Sequence, residues 1–212
     1  MDTIKSKYHE TLAATVIKNL EKRQMEGYYC PTVEDAEKLA FSFLKDGQTV
    51  SFGGSMTLEE TGMLTALRHD PSIHLIDRST AKTPDETKKM YHDALSSDVY
   101  FMSTNAITTG GELVNIDGTG NRVAALIYGP ETVVILAGMN KIAANVDEAL
   151  SRVHNVATAQ NCIRLDKKTP CAITGACADC LSPDCICNQV VITRRSGIKG
   201  RIKVLLIGES FG

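Results

Sequence analysis

The sequence contains no tryptophan, only 6 prolines, and an aromatic share of 5 %. It has no long apolar run. The most hydrophobic stretches, 133–138 and 204–208, fall far short of the ~20 residues a membrane-crossing helix needs. Positive charge is not in excess, because 23 Lys and Arg face 25 Asp and Glu, for a formal charge of −2. No basic surface is therefore available at the whole-protein level to hold a phosphate backbone, which excludes nucleic acid as an expected partner. Residues 1–18 interleave Asp2, Lys5, Lys7, His9 and Glu10 with their apolar side chains, leaving no signal-peptide core. The expectation is a cytoplasmic protein with no membrane insertion. G-x-S-x-G is absent, which disfavours a serine hydrolase. None of the five histidines sits in a metal-binding spacing.

What is present fits one globular α/β domain over 1–212, with 43 % apolar and 23 % charged residues. Self-association into a homo-oligomer stays open. The four-residue spacing of Tyr8, Leu12, Val16 and Leu20 predicts a helix over 6–25, closed by Gly27. A second helix is expected over 33–45 after a Thr32 cap, then a strand over 49–52 running into Gly53-Gly54-Ser55. Thr57-Leu58-Glu59-Glu60 reads as a capping box opening the next helix. A strand over 73–76, a helix from Pro84 to about residue 95 and a strand over 99–102 follow. Strand, loop and helix alternating in this way indicate a parallel sheet covered on both faces. Glycines at 110, 111, 118 and 120 frame a strand over 112–116. A short helix or turn over 122–128, a strand over 132–137 and a helix over 145–157 come next. Residues 161–189, with Pro170, Pro183 and little periodicity, are expected as a loop-like cysteine-rich insertion, after which 190–193 and 202–207 return to the sheet.

Polar residues collect where the strands are expected to end, which is where open α/β sheets bind ligands. The loop with Gly53, Gly54, Ser55 and Thr57 leaves a strand and enters a helix. It reads either as an anion site, with backbone N–H groups approaching a ligand, or as a plain tight turn. Glu60 is a candidate general base facing it, or an acid that completes the capping box. Asn105 lies in a second polar strand end. Asp117, Gly120, Asn121 and Arg122 supply a carboxylate, an amide and a fixed cation in a glycine frame. Asn140 and Lys141 follow a fourth strand. Arg122 and Lys141 are candidate anion clamps, Lys141 alternatively a solvated surface lysine, and Asp117 or Glu60 the candidate proton acceptor.

Five of the seven cysteines, Cys171, Cys177, Cys180, Cys185 and Cys187, fall within 17 residues. In a reducing compartment such clustering favours thiolate ligands for zinc or an Fe–S cluster over structural disulfides. The C-x5-C-x2-C-x4-C-x-C spacing fits neither a zinc ribbon nor a ferredoxin run, so a redox or structural thiol cluster is the alternative. The segment has few large apolar residues beyond Ile163, Leu165, Ile173, Leu181 and Ile186. Its order must come from a cross-link or from docking of those side chains.

The chain resembles the LUD (lactate-utilisation, formerly DUF162) domain. The residues that carry the resemblance are Gly53-Gly54-Ser55 with Thr57 and Glu60, Ser103-x-Asn105-Ala106-Ile107-Thr108, Asp117-Gly-Thr-Gly-Asn121-Arg122, Gly129-Pro130 and Gly138-x-Asn140-Lys141. The cysteine stretch resembles that family's cysteine-bearing subgroup. The resemblance implies a three-layer α/β/α fold with a parallel or mixed sheet, similar to sugar-phosphate isomerases and CoA transferases. It also implies a link to oxidation of L-lactate to pyruvate with separate iron–sulfur partner proteins. The chain lacks the ferredoxin cysteine runs of such partners, so it is expected to be a non-cluster subunit binding a small anionic metabolite. A stand-alone sugar-phosphate isomerase or hydrolase, with Asp117 as base, and a metal- or redox-sensing interaction protein are the alternatives.

Overall fold

A computed structural model describes residues 3–212. In chain order its strands are β1 (Glu26–Cys30), β2 (Thr49–Phe52), β3 (His74–Ile76), β4 (Val99–Met102), β5 (Ala106–Thr108), β6 (Leu113–Asp117), β7 (Thr132–Gly138), β8 (Ile142–Ala143), β9 (Gln189–Thr193) and β10 (Ile202–Ile207). Its helices are α1 (Thr3–Lys22), α2 (Val33–Phe41), α3 (Met56–Glu60), α4 (Met63–His69), α5 (Pro84–Ala94), α6 (Asn121–Ile127), α7 (Val146–Arg152), α8 (Ala159–Arg164) and α9 (Pro170–Thr174).

The central strands are mostly apolar because both of their faces are covered, and their side chains alternate between two cores. Tyr100, Met102, Val133, Ile135, Val204 and Leu206 meet Ala13, Val16 and Leu20 of α1 on one face. Val99, Phe101, Val134, Leu136, Leu205 and Ile207 meet Ala36 and Ala40 of α2 and Met63, Leu64 and Leu67 of α4 on the other. The result is a three-layer α/β/α arrangement around a fully parallel six-stranded sheet, in the order β1-β10-β7-β4-β2-β3. A second, mixed sheet, β8-β5-β6-β9, grows from the carboxyl ends of β4 and β7.

The structure corrects several expected boundaries. Gly27 does not cap α1. The chain turns at Gln24 with φ 62°, and Gly27 lies inside β1, where a Cβ would stand 2.9 Å from the Ile17 side chain. Ser55, not Thr57, caps α3 by accepting from Leu58 N. The first part of 161–189 is helical: α7 passes through a π-helical turn, Val153–Thr158, into α8, and α9 follows. Residues 189–193 do not rejoin the main sheet but pair antiparallel with β6. No described helix is long and apolar enough to cross a membrane.

Candidate functional site

The strands β2, β3, β4 and β7 end on one edge of the parallel sheet, and the second sheet and the α7–α8 segment stand above it. Between them lies a cleft of about 790 Å³. This is the crevice at strand carboxyl ends where α/β folds bind ligands.

Lys141 sits at its floor. It follows β7 in a short 3-10 turn, Met139–Lys141, and is only 5 % exposed, so the solvated alternative is ruled out. Its Nζ donates to Thr57 Oγ1 at 2.7 Å and to Ser103 Oγ at 3.0 Å. Burial, followed by the neighbouring guanidinium groups of Arg152 and Arg122, pulls its pKa down to about 7, and Glu60 opposes the shift. Among the described residues no carboxylate forms an ion pair with it, although a buried cation is ordinarily paired. Thr57 is thus a partner of the lysine rather than a helix cap.

Arg122 is the opposite case. All five of its N–H directions are used: Nε donates to Asp117 Oδ2, Nη1 to Ser103 O and Asn115 Oδ1, and Nη2 to Asn105 Oδ1 and Ile116 O, over 2.7–3.2 Å. Burial draws its pKa down and Asp117 opposes the shift, while a guanidinium remains protonated in either case. The expected anion clamp is therefore corrected, since no donor of Arg122 is left for a ligand. Asp117 is equally committed. Oδ1 accepts from the backbone of Thr119 and Gly120, and Oδ2 accepts from Arg122. It closes the turn in which Gly120 takes φ 90°, and it has no geometry suited to a free proton acceptor. Asn105 is half-buried on the cleft wall with its carbonyl oxygen bonded to Arg122 and to Ile116 N. Asn121 also lines the wall.

Gly53 and Gly54 are glycines for a reason the motif alone does not reveal. The Arg122 stem lies 2.9 Å from where a Gly53 Cβ would be, and the Arg78 guanidinium occupies the space a Gly54 side chain would need. Close packing of two arginines, rather than an open N–H cradle, explains both. Arg78, just past β3, lies over the Tyr91 ring and donates to its hydroxyl at 3.0 Å, with no ion-pair partner among the described residues. Arg152, at the end of α7, donates to the carbonyls of Asn140 and Asn105 and is likewise without a carboxylate. Neither cation carries a motif. What could have flagged Arg78 is its place immediately after a short predicted strand; Arg152 reaches the cleft only because of the helix geometry around it.

Asn140 is exposed and exchanges hydrogen bonds with the backbone of Phe211. Glu60 is exposed at the rim, where it accepts from Gly212 N at 2.9 Å. Gly212 thereby lies over the lysine, since a Cβ on it would stand 3.0 Å from both Lys141 Nζ and Thr57 Oγ1. Thr158, on the far wall, is 4 % exposed, and its hydroxyl has no partner among the described residues.

The cysteine segment adjoins this cleft at Ile186, which forms part of its wall, whereas Cys30 is buried in the core with Ala36 and Ala40. All the cysteines are free thiols. Cys185 and Cys187 approach to 2.9 Å between sulfurs. Cys177 Sγ lies 3.8 Å from His154 Nδ1, and Cys171 is buried near Cys162 and Thr169. Cys180 is half-buried. Burial, with Cys185 beside it, pushes the Cys187 thiol up to about 12. Among the described residues no three His, Cys, Asp or Glu side chains converge as a metal site. Of the five expected ligands, Cys185 and Cys187 lie side by side, while Cys171 lies beside Cys162 and Cys177 beside His154, and among the described residues no preformed cage gathers them.

No curated protein matches the sequence. Among solved structures, a DUF162 family protein from Deinococcus radiodurans aligns over 94 % of this chain and 98 % of its own, with 11 % identity and a TM-score of 0.54, so the two share a fold. The eIF2B delta structure from Chaetomium thermophilum aligns over 52 % of this chain and 48 % of its own, at 20 % identity and a TM-score of 0.35. The family model described as the LUD domain matches residues 13–207, spanning both sheets and the cleft between them. The chain therefore belongs to the LUD domain family.

Proposed function

We propose that the chain binds a small anionic metabolite, a short carboxylate such as lactate or pyruvate, in the cleft at the strand ends. In this reading it acts as the non-cluster subunit in oxidation of L-lactate to pyruvate. The observation that carries this is Lys141: a buried amine at the floor of a cleft, hydrogen-bonded to two hydroxyls, with no protein carboxylate against it. An anionic ligand supplies the missing charge. Arg78 and Arg152 add two cations without carboxylate partners, and the Thr158 hydroxyl is a buried donor in want of an acceptor. Lactate oxidation releases two electrons and two protons, and the electrons pass in this reading to separate iron–sulfur partner proteins.

Titration calorimetry with lactate, pyruvate and sugar phosphates tests it. A charge-assisted bond contributes about 1.5–3 kcal/mol, so Lys141→Met is expected to weaken binding roughly 10- to 150-fold. Equal affinity in a folded Lys141→Met variant overturns the reading. The sugar-phosphate isomerase alternative keeps a cleft of sufficient size but loses its assigned base, because both oxygens of Asp117 are engaged. Turnover of ribose-5-phosphate by the purified chain would restore it.

A further inference from the structure

The lysine that makes the cleft suitable for an anion also has the geometry of a nucleophile. A neutral amine has two N–H bonds and one lone pair. The Lys141 Nζ has two hydroxyl acceptors, Thr57 Oγ1 at 2.7 Å and Ser103 Oγ at 3.0 Å, which account for both N–H bonds. The lone pair is then left for the one remaining direction. A purely structural lysine buried to 5 % exposure would be expected to sit against a carboxylate, and this one does not. Lys141 lines the cleft, so a bound molecule can reach it, and Gly212 covers it through a single hydrogen bond to the exposed Glu60. Burial first, and then the nearby Arg152 guanidinium, disfavours a charged ammonium, which leaves part of the population neutral near pH 7.

We propose that Lys141 forms a covalent imine with the carbonyl of a small 2-oxo acid. This deepens, and rests on, the reading of the cleft as a carboxylate site. The carboxylate of such a molecule is held by a cation of the cleft wall, Arg152 or Arg78, while its neighbouring carbonyl carbon meets Nζ. The nitrogen lone pair forms the C–N bond, and the carbonyl π pair goes to oxygen, which takes a proton. Nitrogen then loses a proton, the hydroxyl takes up a second proton and leaves as water while the nitrogen lone pair closes the C=N bond, and the iminium nitrogen gives that proton back to form the neutral imine. No oxidant or reductant is consumed. Glu60 at the rim is placed to carry the proton. The imine acidifies the hydrogens on the carbon beyond the former carbonyl, so exchange of those hydrogens with solvent accompanies it.

The full chain is incubated with pyruvate, the smallest stable 2-oxo acid, and then reduced with sodium borohydride. Intact-mass measurement is expected to show one reduced pyruvyl group per chain, and peptide mapping to place it on Lys141. Lactate, which has no carbonyl, gives none. Lys141→Arg is expected to lose both the adduct and the deuterium exchange of the pyruvate methyl group. Mapping on the unaltered chain keeps the test valid should that variant misfold. Pyruvate that binds by calorimetry but leaves no adduct on Lys141 overturns the imine and leaves the carboxylate site standing. Absence of binding by lactate and pyruvate alike overturns both.

Discussion

Two buried cations within one cleft do different work, and the difference lies in their partners. Arg122 meets five acceptors, so replacing it strands Asp117, the Asn105 and Asn115 amide oxygens and two carbonyls. Breaking a buried ion pair by removing one member costs about 3–5 kcal/mol. Arg122→Met should lose that much in chemical denaturation, and a loss below about 1 kcal/mol would make the network dispensable. Lys141 instead governs a pH dependence. Its pKa falls from 10.5 unfolded to about 7 folded, so below pH 7 both states hold the proton and burial of the charge is opposed in full. Between about 7 and 10.5 the unfolded chain binds more protons, and stability rises with pH. Anion affinity moves the other way, declining as the amine loses its charge above about 7. The two slopes, followed by denaturation and calorimetry across pH 6–10, should both flatten in Lys141→Met. From the sequence, Arg122 and Lys141 looked alike, both cations after a strand end. Neither the number of acceptors converging on a guanidinium nor the depth of a lysine is written in local spacing.

The elements that periodicity and turn chemistry specify emerged where expected. β2, β4 and β10, and the Thr83-capped, Pro84-started α5, match their signals. Those that tertiary pairing creates did not: β5 and β8 are three and two residues long, and each exists only because a neighbour supplies its hydrogen bonds. The cysteine segment is the hardest case, because its two possible sources of order divide along its length. Ile173 is 84 % exposed and Leu181 100 %, so docking through apolar side chains does not hold 175–184, whereas Ile186 packs beside Ala159, Cys162 and Cys171 and anchors the end of the segment. For 175–184 a cross-link is the other source of order, and a thiolate-bound ion would need Cys177 or Cys180 to close onto the Cys185–Cys187 pair. Anaerobically purified protein is expected to contain zinc or iron and to become protease-sensitive within 175–188 once a chelator strips it. Metal-free protein cleaved no faster with chelator would reject the ion, leaving a dithiol at Cys185 and Cys187 for oxidation to a disulfide.

Across the whole molecule, the two sheets are tied by the end of α1. Arg23 pairs with Glu112 and donates to Gly110 O and Arg194 O, while Asn19 Nδ2 donates to Thr109 O. Arg23→Ala should therefore raise hydrogen exchange in β5, β6 and β9 while leaving β4 and β7 protected. Uniform change across both sheets would show the tie to be global. The strand order has a temporal consequence as well. β1 is an edge strand paired with β10, so its hydrogen bonds are met only after the other strands of that sheet have been made. Until then, α1 carries its apolar stripe with no finished sheet beneath it. The nascent chain can assemble β2, β3, β4 and β7 in passing, but β1 and β10 join that sheet last and together.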